Sequence, residues 1–235
     1  MSRPLVVSLD CAQTLVETDW NLSRFVMASC AHAGFPIGPE AAKQYEQIHG
    51  ATIQEFLRVN RTKDPVEEQT YWRNVGERWL AELGEDPAWA ERLQASANEI
   101  GFSASSILFR PYEDVRPCLA VLREQGYRLI VLSNWDMSLR RVLGAFDLIE
   151  PFEHIFASLE EGVEKPDPRF FALACERLGV GPEDVVHIGD HPNDDVEGAK
   201  AAGMRWLWLD RSATASNFPT IASLRDLPEA LDWIA

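Results

Sequence analysis

Features that would indicate a membrane, a secretory or a redox protein are missing from this sequence. No apolar run approaches the roughly 20 residues that a transmembrane helix needs. The N-terminal stretch carries one basic residue, Arg3, and passes directly into an apolar run ending at Asp10, which is not the pattern of a signal peptide. The four cysteines form no CxxC pair, so neither a zinc nor a dithiol redox motif is expected. We therefore expect a cytoplasmic protein with reduced thiols.

Positive charge is also scarce. The 235 residues include 22 lysines and arginines against 37 aspartates and glutamates, which gives a formal net charge of -15. Such a chain is not expected to present the basic face that nucleic-acid binding requires. An anionic substrate would instead need a local cation, either a metal ion or a lysine side chain.

The pattern of apolar residues divides the chain into two regions. Strand-like runs alternate with helical patterns in the first region, and the strands are predicted at 4–9, 128–132, 154–158, 185–188 and 205–209. Helices are predicted between and after them at 115–124, 137–146, 168–178, 194–202 and 228–233. This alternation is typical of βαβ units and predicts an α/β fold with a Rossmann-like parallel sheet.

The second region is the intervening segment, whose pattern is helical with no convincing strand. We predict an α/β core domain at 1–15 and 110–235, with an inserted all-helical cap domain at 16–109. Four tryptophans of the insertion are interpreted as packing in its own core rather than as ligand-binding residues: Trp20, Trp72, Trp79 and Trp89.

Carboxylates follow two of the predicted strands. Asp10 comes at the end of the first strand, and Asp190 and Asp195 come shortly after the strand at 185–188. Because the carboxyl ends of parallel strands meet at one edge of a sheet, we expect the three side chains to converge there. Their mutual repulsion and oxygen ligands favour a bound Mg²⁺. The alternative is that Asp190 is a turn residue and Asp195 an acid at a helix N-terminus.

Two further segments carry groups suited to an anion. Lys165 precedes Pro166 at the entry to a helix and could offset the charge of an anionic intermediate. Ser133 and Asn134 end a buried strand, where a hydroxyl and backbone N–H groups can hold an oxyanion. A solvated loop lysine and a simple strand-ending turn are the alternatives.

Taken in order, these segments resemble the four motifs of the haloacid dehalogenase-like (HAD) hydrolases. The matching segments are Asp10-Cys11-Ala12-Gln13-Thr14-Leu15, the strand ending at Ser133, Lys165-Pro166, and Gly189-Asp190 with Asp195, Gly198-Ala199 and Ala202-Gly203-Met204. The resemblance implies an aspartyl intermediate on Asp10, with Ser133, Asn134 and Lys165 binding the substrate and Ser133 and Lys165 assisting catalysis. It also implies Mg²⁺ held by Asp10, the backbone carbonyl of Ala12, Asp190 and Asp195.

The first motif departs from the family pattern Asp-x-Asp-Gly-Thr-Leu. Ala12 stands where the second aspartate of HAD phosphatases acts as general acid and base, and Gln13 replaces the glycine. General acid–base help is worth about 10²–10⁴ in rate, or roughly 3–5 kcal/mol. The resemblance therefore predicts a Mg²⁺-dependent phosphatase for a small phosphorylated metabolite that works best on good leaving groups such as acyl or aryl phosphates.

Two alternatives remain open at this point. Haloacid dehalogenases of the same superfamily also lack the second aspartate, because halide leaves without a proton, and Ser133-Asn134 resembles their second motif. A non-catalytic protein that binds a phosphorylated ligand or a partner is the other alternative, although it need not keep Asp10 and Lys165. The sequence does not indicate an oligomeric state.

Overall fold

The computed structural model describes residues 6–212 and 219–233. The chain divides into two compact units, one formed by residues up to Glu17 and from Pro111 onwards, the other by Thr18–Arg110. The predicted domain limits lie within two residues of the limits of these units. That one unit acts as a core domain and the other as a cap stays a prediction. Among the described residues, no helix has the length and apolar character to cross a membrane.

The described residues contain one large and one small sheet. The strands are β1 (Val6–Leu9), β2 (Val16–Thr18), β3 (Phe109–Pro111), β4 (Arg128–Ser133), β5 (His154–Ala157), β6 (Val185–Gly189), β7 (Arg205–Leu209) and β8 (Thr220–Ile221). Six of them form a sheet of order β5-β4-β1-β6-β7-β8, and every pairing within it is parallel. The predicted α/β class with a parallel sheet is confirmed.

The strand β1 lies in the middle of the large sheet. Its sequence, Val-Val-Ser-Leu, is fully buried because both faces of the sheet are covered, as is usual for a parallel sheet. Leu9 is in register with Val131 of β4 and Ile188 of β6. The chain that follows Leu9 therefore leaves the sheet beside the carboxyl ends of both neighbouring strands.

The unit Thr18–Arg110 is built mainly from helices. They are α1 (Leu22–His32), α2 (Pro39–Ala51), α3 (Ile53–Thr62), α4 (Pro65–Leu83) and α5 (Trp89–Gly101). The strands β2 and β3 pair at the ends of this segment, where none was predicted, because three-residue strands are too short to show a period of two.

Aromatic side chains pack between the helices of this unit. Trp79 is fully buried, and its Nε1 donates a 2.8 Å hydrogen bond to the carbonyl oxygen of Ala41. Trp72 packs against His49 and Phe56, as predicted for a core residue. The core prediction is wrong for Trp20, which lies before the N-cap of α1 and is 53% exposed, although its ring contacts Phe25 of that helix.

Helices cover the large sheet. They are α6 (Val115–Glu124), α7 (Leu139–Ala145), α8 (Ser158–Glu161), α9 (Pro168–Leu178), α10 (Gly198–Ala201) and α11 (Leu227–Trp233). The helix α9 packs Phe170 and Phe171 into the core beside Val6 and Ile130. In place of a regular helix at 194–202, a π-helical turn at Pro192–Glu197 precedes α10. Such wide turns often occur at functional sites.

Candidate active site

Asp10 lies buried at the carboxyl end of β1. Its backbone N–H donates to the carbonyl oxygen of Ile188 at 2.9 Å, which continues the parallel pairing with β6 for one residue. Its Oδ1 accepts hydrogen bonds from Ser133 Oγ at 2.9 Å and from Lys165 Nζ at 2.6 Å. Burial raises the pKa of Asp10, and the charge of Lys165 opposes that rise. The structure thus brings Asp10, Ser133 and Lys165 together, as the sequence analysis predicted of their positions.

Lys165 bridges two carboxylates. Its Nζ lies 2.6 Å from Asp10 Oδ1 and 2.5 Å from Asp195 Oδ1, and its side chain is almost inaccessible to solvent. Burial alone would lower the pKa of Lys165, but the charges of Asp10 and Asp195 raise it above its usual value. Lys165 therefore places a positive charge beside Asp10, held there by two carboxylates.

Asn134 holds the backbone of Lys165. Its Nδ2 donates to the Lys165 carbonyl oxygen at 2.8 Å, and its Oδ1 accepts from the Lys165 N–H at 2.8 Å. The peptide bond from Lys165 to Pro166 is cis. These contacts present Lys165 to the site, while the predicted contact of Asn134 with substrate stays a prediction.

Three carboxylates gather at this edge of the sheet. One ligand atom from each of Asp10, Asp190 and Asp195 lies within 4.8 Å of the others. Burial, followed by the charges of Asp10 and Asp195, raises the pKa of Asp190 to about 7. A cation would relieve this repulsion, and an all-oxygen donor set fits Mg²⁺ better than a softer metal. Ala12, half-buried two residues after Asp10, adds a backbone carbonyl to the same turn.

The carboxylate of Asp195 is held from three sides. Oδ1 receives Lys165 Nζ and His187 Nε2, and Oδ2 accepts from the backbone N–H of His191 at 2.9 Å. Burial would raise the pKa of Asp195, but Lys165 and His187 hold it well below its usual value. A Cβ at position 189 would lie 2.1 Å from the Asp195 carboxyl carbon, so only glycine fits there.

His187 is a site residue that the sequence analysis missed. It lies inside β6, buried, with Nδ1 2.8 Å from Ser8 Oγ and Nε2 3.0 Å from Asp195 Oδ1. Burial, together with the charge of Lys165, lowers the pKa of His187. A lone ionisable residue within an otherwise apolar strand was the signal that could have revealed it.

The turn after Asp10 is held by residues distant in sequence. Gln13 has a left-handed backbone with φ of 56°, a conformation that favours glycine. Arg211 donates from Nε to the Gln13 carbonyl oxygen at 3.2 Å and from an Nη to that of Thr14 at 2.8 Å. Tyr112 donates from its hydroxyl to Gln13 Oε1, and the sequence analysis singled out neither Tyr112 nor Arg211.

Comparison with known proteins agrees with this geometry. The family model described as haloacid dehalogenase-like hydrolase matches residues 5–203. A glyceraldehyde 3-phosphate phosphatase from Methanopyrus kandleri is 36% identical over 131 residues, which cover 53% of each chain. A phosphoserine phosphatase from Thermus thermophilus is 39% identical over 102 residues, covering 43% of this chain and 41% of that one. The chain thus matches about half the length of these curated relatives, or less.

A solved structure extends the likeness over nearly the whole chain. A 2-haloacid dehalogenase from Pseudomonas syringae pv. Tomato superposes with a TM-score of 0.69 at 25% identity, covering 98% of this chain and 99% of that one. The proteins that this chain is similar to therefore include two phosphatases, matched by sequence, and a dehalogenase, matched by structure.

Proposed function

This chain belongs to the haloacid dehalogenase-like hydrolases, and we propose that within that family it is a Mg²⁺-dependent phosphatase acting on a small phosphorylated metabolite. The observation that carries the proposal is the convergence of Asp190 and Asp195 on Asp10, beside the buried ammonium of Lys165. Such a cluster of oxygen ligands and one fixed cation suits a phosphoryl group, whose charge must be neutralised during transfer.

The reaction proceeds in two displacements. A carboxylate oxygen of Asp10 attacks phosphorus, and the bond from phosphorus to the leaving oxygen breaks, its electron pair staying on that oxygen. Water then attacks phosphorus, and the bond from phosphorus to the Asp10 oxygen breaks. Its electron pair restores the Asp10 carboxylate, and the protons of the water leave with the inorganic phosphate. The charge of Lys165 opposes protonation of Asp10 and would stabilise the phosphoryl oxygens. The Ser133 hydroxyl donates to the same oxygen, Asp10 Oδ1, that accepts from Lys165.

A divalent cation would be held by Asp10, the Ala12 carbonyl, Asp190 and Asp195. When bound, it would neutralise charge on the phosphoryl oxygens and orient them toward Asp10. Asp190 would then be ionised at neutral pH, because a positive ion opposes the repulsion that raises its pKa.

Ala12 bears on the choice of substrate. An alanine side chain cannot protonate a leaving alkoxide, so an ester of a simple alcohol would leave poorly. Acyl and aryl phosphates need little or no protonation. We therefore propose a preference for good leaving groups, within the class of small phosphorylated metabolites that the names of the two phosphatase relatives support.

A second candidate is 2-haloacid dehalogenation. Ala12 favours it because halide leaves without a proton, and the superposed Pseudomonas syringae protein is described as such an enzyme. The pair Asp190 and Asp195 opposes it, since two carboxylates beside Asp10 would repel the carboxylate of a haloacid.

Hydrolysis of acetyl phosphate and p-nitrophenyl phosphate, with Mg²⁺ and with EDTA, tests the proposal. We expect turnover that requires Mg²⁺ and is abolished by Asp10→Asn and by Asp195→Asn. The matched control is Asp194→Asn, because Asp194 is the partly exposed neighbour of Asp195. We expect this substitution to leave turnover unchanged.

Three results of these assays would contradict the proposal or favour an alternative. No hydrolysis of either ester would overturn the phosphatase proposal. Chloride release from 2-chloropropionate in EDTA would then establish the dehalogenase. Failure of all three substrates would favour a protein that binds a phosphorylated ligand without turnover.

A further inference from the structure

Ser8 and His187 form a buried pair next to the site. They are register partners on the adjacent strands β1 and β6, and both are almost fully buried. Ser8 Oγ lies 2.8 Å from His187 Nδ1. Alternate residues of a strand share one face, and Asp10 follows Ser8 by two positions, directly after the end of β1. Ser8 therefore lies below Asp10 on the same side of the sheet.

The hydrogen bonds of His187 define its tautomer. An ionised carboxylate only accepts, so the 3.0 Å contact with Asp195 Oδ1 requires a proton on His187 Nε2. In a neutral imidazole Nδ1 is then an acceptor, and the Ser8 hydroxyl must donate to it. Burial in the sheet disfavours an imidazolium at this position, and so does the neighbouring ammonium of Lys165, which shares Asp195 Oδ1.

We propose that His187, oriented by Ser8, is a positioning residue that fixes the Asp195 carboxylate between Lys165 and the cation site. The inference rests on the proposed function, because Asp195 and Lys165 are among its site residues. A continuous series of hydrogen bonds supports it, from Ser8 through His187, Asp195 and Lys165 to Asp10.

The series matters because the Asp195 carboxylate has several competing donors. The Nε2–H of His187 shares Oδ1 with Lys165, while the His191 N–H holds Oδ2. Without the imidazole, the carboxylate would lose one of the contacts that set its rotation, and Lys165 would lose a fixed partner opposite Asp10. Residues that orient a metal ligand in this way typically contribute about 10–100-fold to metal affinity or activity.

A purely structural role makes a different prediction. Phe171 packs edge-on against the His187 ring, with centroids 5.2 Å apart, so His187 also fills space in the core. If filling space were its whole role, leucine would substitute better than glutamine. If the Nε2–H is what matters, glutamine, whose Nε2 can reach the same place, should substitute better than leucine.

The test measures Mn²⁺ binding to the full chain by electron paramagnetic resonance, without substrate, alongside acetyl phosphate kinetics. We expect His187→Leu to weaken Mn²⁺ binding and lower kcat, each by about 10–100-fold, with a smaller change in KM. His187→Gln should recover most of both losses, because its side-chain N–H can donate to Asp195. Ser8→Ala keeps the imidazole and should lose less than about 10-fold in each. Phe171→Leu is the packing control and should leave Mn²⁺ binding unchanged.

Nitrogen-15 NMR of the imidazole in the metal-free chain separates this inference from the proposed function. We expect the Nε2–H tautomer of His187, with the Nδ1 signal shifted in Ser8→Ala. That tautomer, together with weakened Mn²⁺ binding in His187→Leu but no phosphatase turnover, would leave the positioning role standing and the proposed function overturned. An Nδ1–H tautomer, or equal losses in His187→Gln and His187→Leu, would overturn the positioning role. If His187→Leu does not fold, Ser8→Ala decides the question, because unchanged Mn²⁺ binding in that variant would overturn the orienting role of Ser8.

Discussion

Tyr112 and Gln13 are separated by 99 positions, and the Tyr112 hydroxyl donates a 2.8 Å hydrogen bond to Gln13 Oε1. The guanidinium of Arg211 stacks over the Tyr112 ring at 3.6 Å from its centroid. Arg211 also donates to the carbonyl oxygens of Gln13 and Thr14. These contacts hold a non-glycine residue in the left-handed conformation within the turn that follows Asp10, at the position where the family pattern has glycine.

The left-handed backbone of Gln13 predicts a difference between two substitutions. Gln13→Gly and Gln13→Ala both remove the hydrogen bond from Tyr112, but only glycine adopts a φ of 56° without strain. We expect Gln13→Gly to have a free energy of unfolding about 1 kcal/mol higher than Gln13→Ala, measured by urea denaturation. Equal stabilities would contradict the assignment of strain to this turn.

Restoring the missing acid should widen the substrate range. We expect Ala12→Asp to raise kcat/KM for an alkyl phosphate by about 10²–10⁴, because a carboxyl group there can protonate the leaving oxygen. Turnover of acetyl phosphate should change far less, since its leaving group needs no proton. Steady-state kinetics on both substrates give the ratio, and Ala12→Asn serves as the control of similar size. A gain with asparagine would show that acid catalysis is not the cause.

Removing the buried lysine should make stability depend on metal. Lys165→Met leaves Asp10 and Asp195 without the ammonium that bridges them, and breaking a buried pair costs about 3–5 kcal/mol. We expect that loss in EDTA, with a larger rise in Tm on adding Mg²⁺ than in wild type, because the ion replaces the missing charge. Lys200→Met, on the surface, should change stability by less than about 0.5 kcal/mol. An unchanged response to Mg²⁺ would count against a cation site at these carboxylates.

The contacts of Asp114 should make the free energy of unfolding depend on pH in acid. Burial would raise its pKa, but hydrogen bonds from Arg211, Ser223 and the Leu224 N–H lower it. Because the folded pKa lies below the unfolded value of about 3.9, its stabilisation is complete above that value and is lost as pH falls through the folded pKa.

The corresponding measurement is urea denaturation of Asp114→Asn across pH. We expect the variant to be about 2 kcal/mol less stable than wild type at pH 7, and the gap to narrow as the pH is lowered from about 5 to about 3. Asp226→Asn, an exposed carboxyl in the same region, should be close to wild type at pH 7. A gap that stayed constant down to pH 3 would show that the Asp114 charge is not its source.

Much of the fold was predictable because its signals are local. Apolar runs separated by helical patterns predicted the strands at 128–132 and 205–209, each within one residue of β4 and β7. The convergence of Asp10, Asp190 and Asp195 followed from one rule, that parallel strands end at the same edge. The π-helical turn at Pro192–Glu197 was not predictable, because no local pattern marks it and the hydrogen bond across it, from the His191 N–H to Asp195, is seen only in the folded chain.

The sequence by itself determined which chemical groups stand at the ends of the strands, because each strand and the residue that follows it can be identified from a short stretch of the chain. Only the tertiary structure decided which groups those side chains contact. Asn134 hydrogen-bonds the backbone of Lys165, and the His187 ring hydrogen-bonds Asp195. Arg211 holds a turn almost two hundred residues earlier. Hydrogen-bond partners are chosen by proximity after folding, and no periodicity of the sequence encodes that choice.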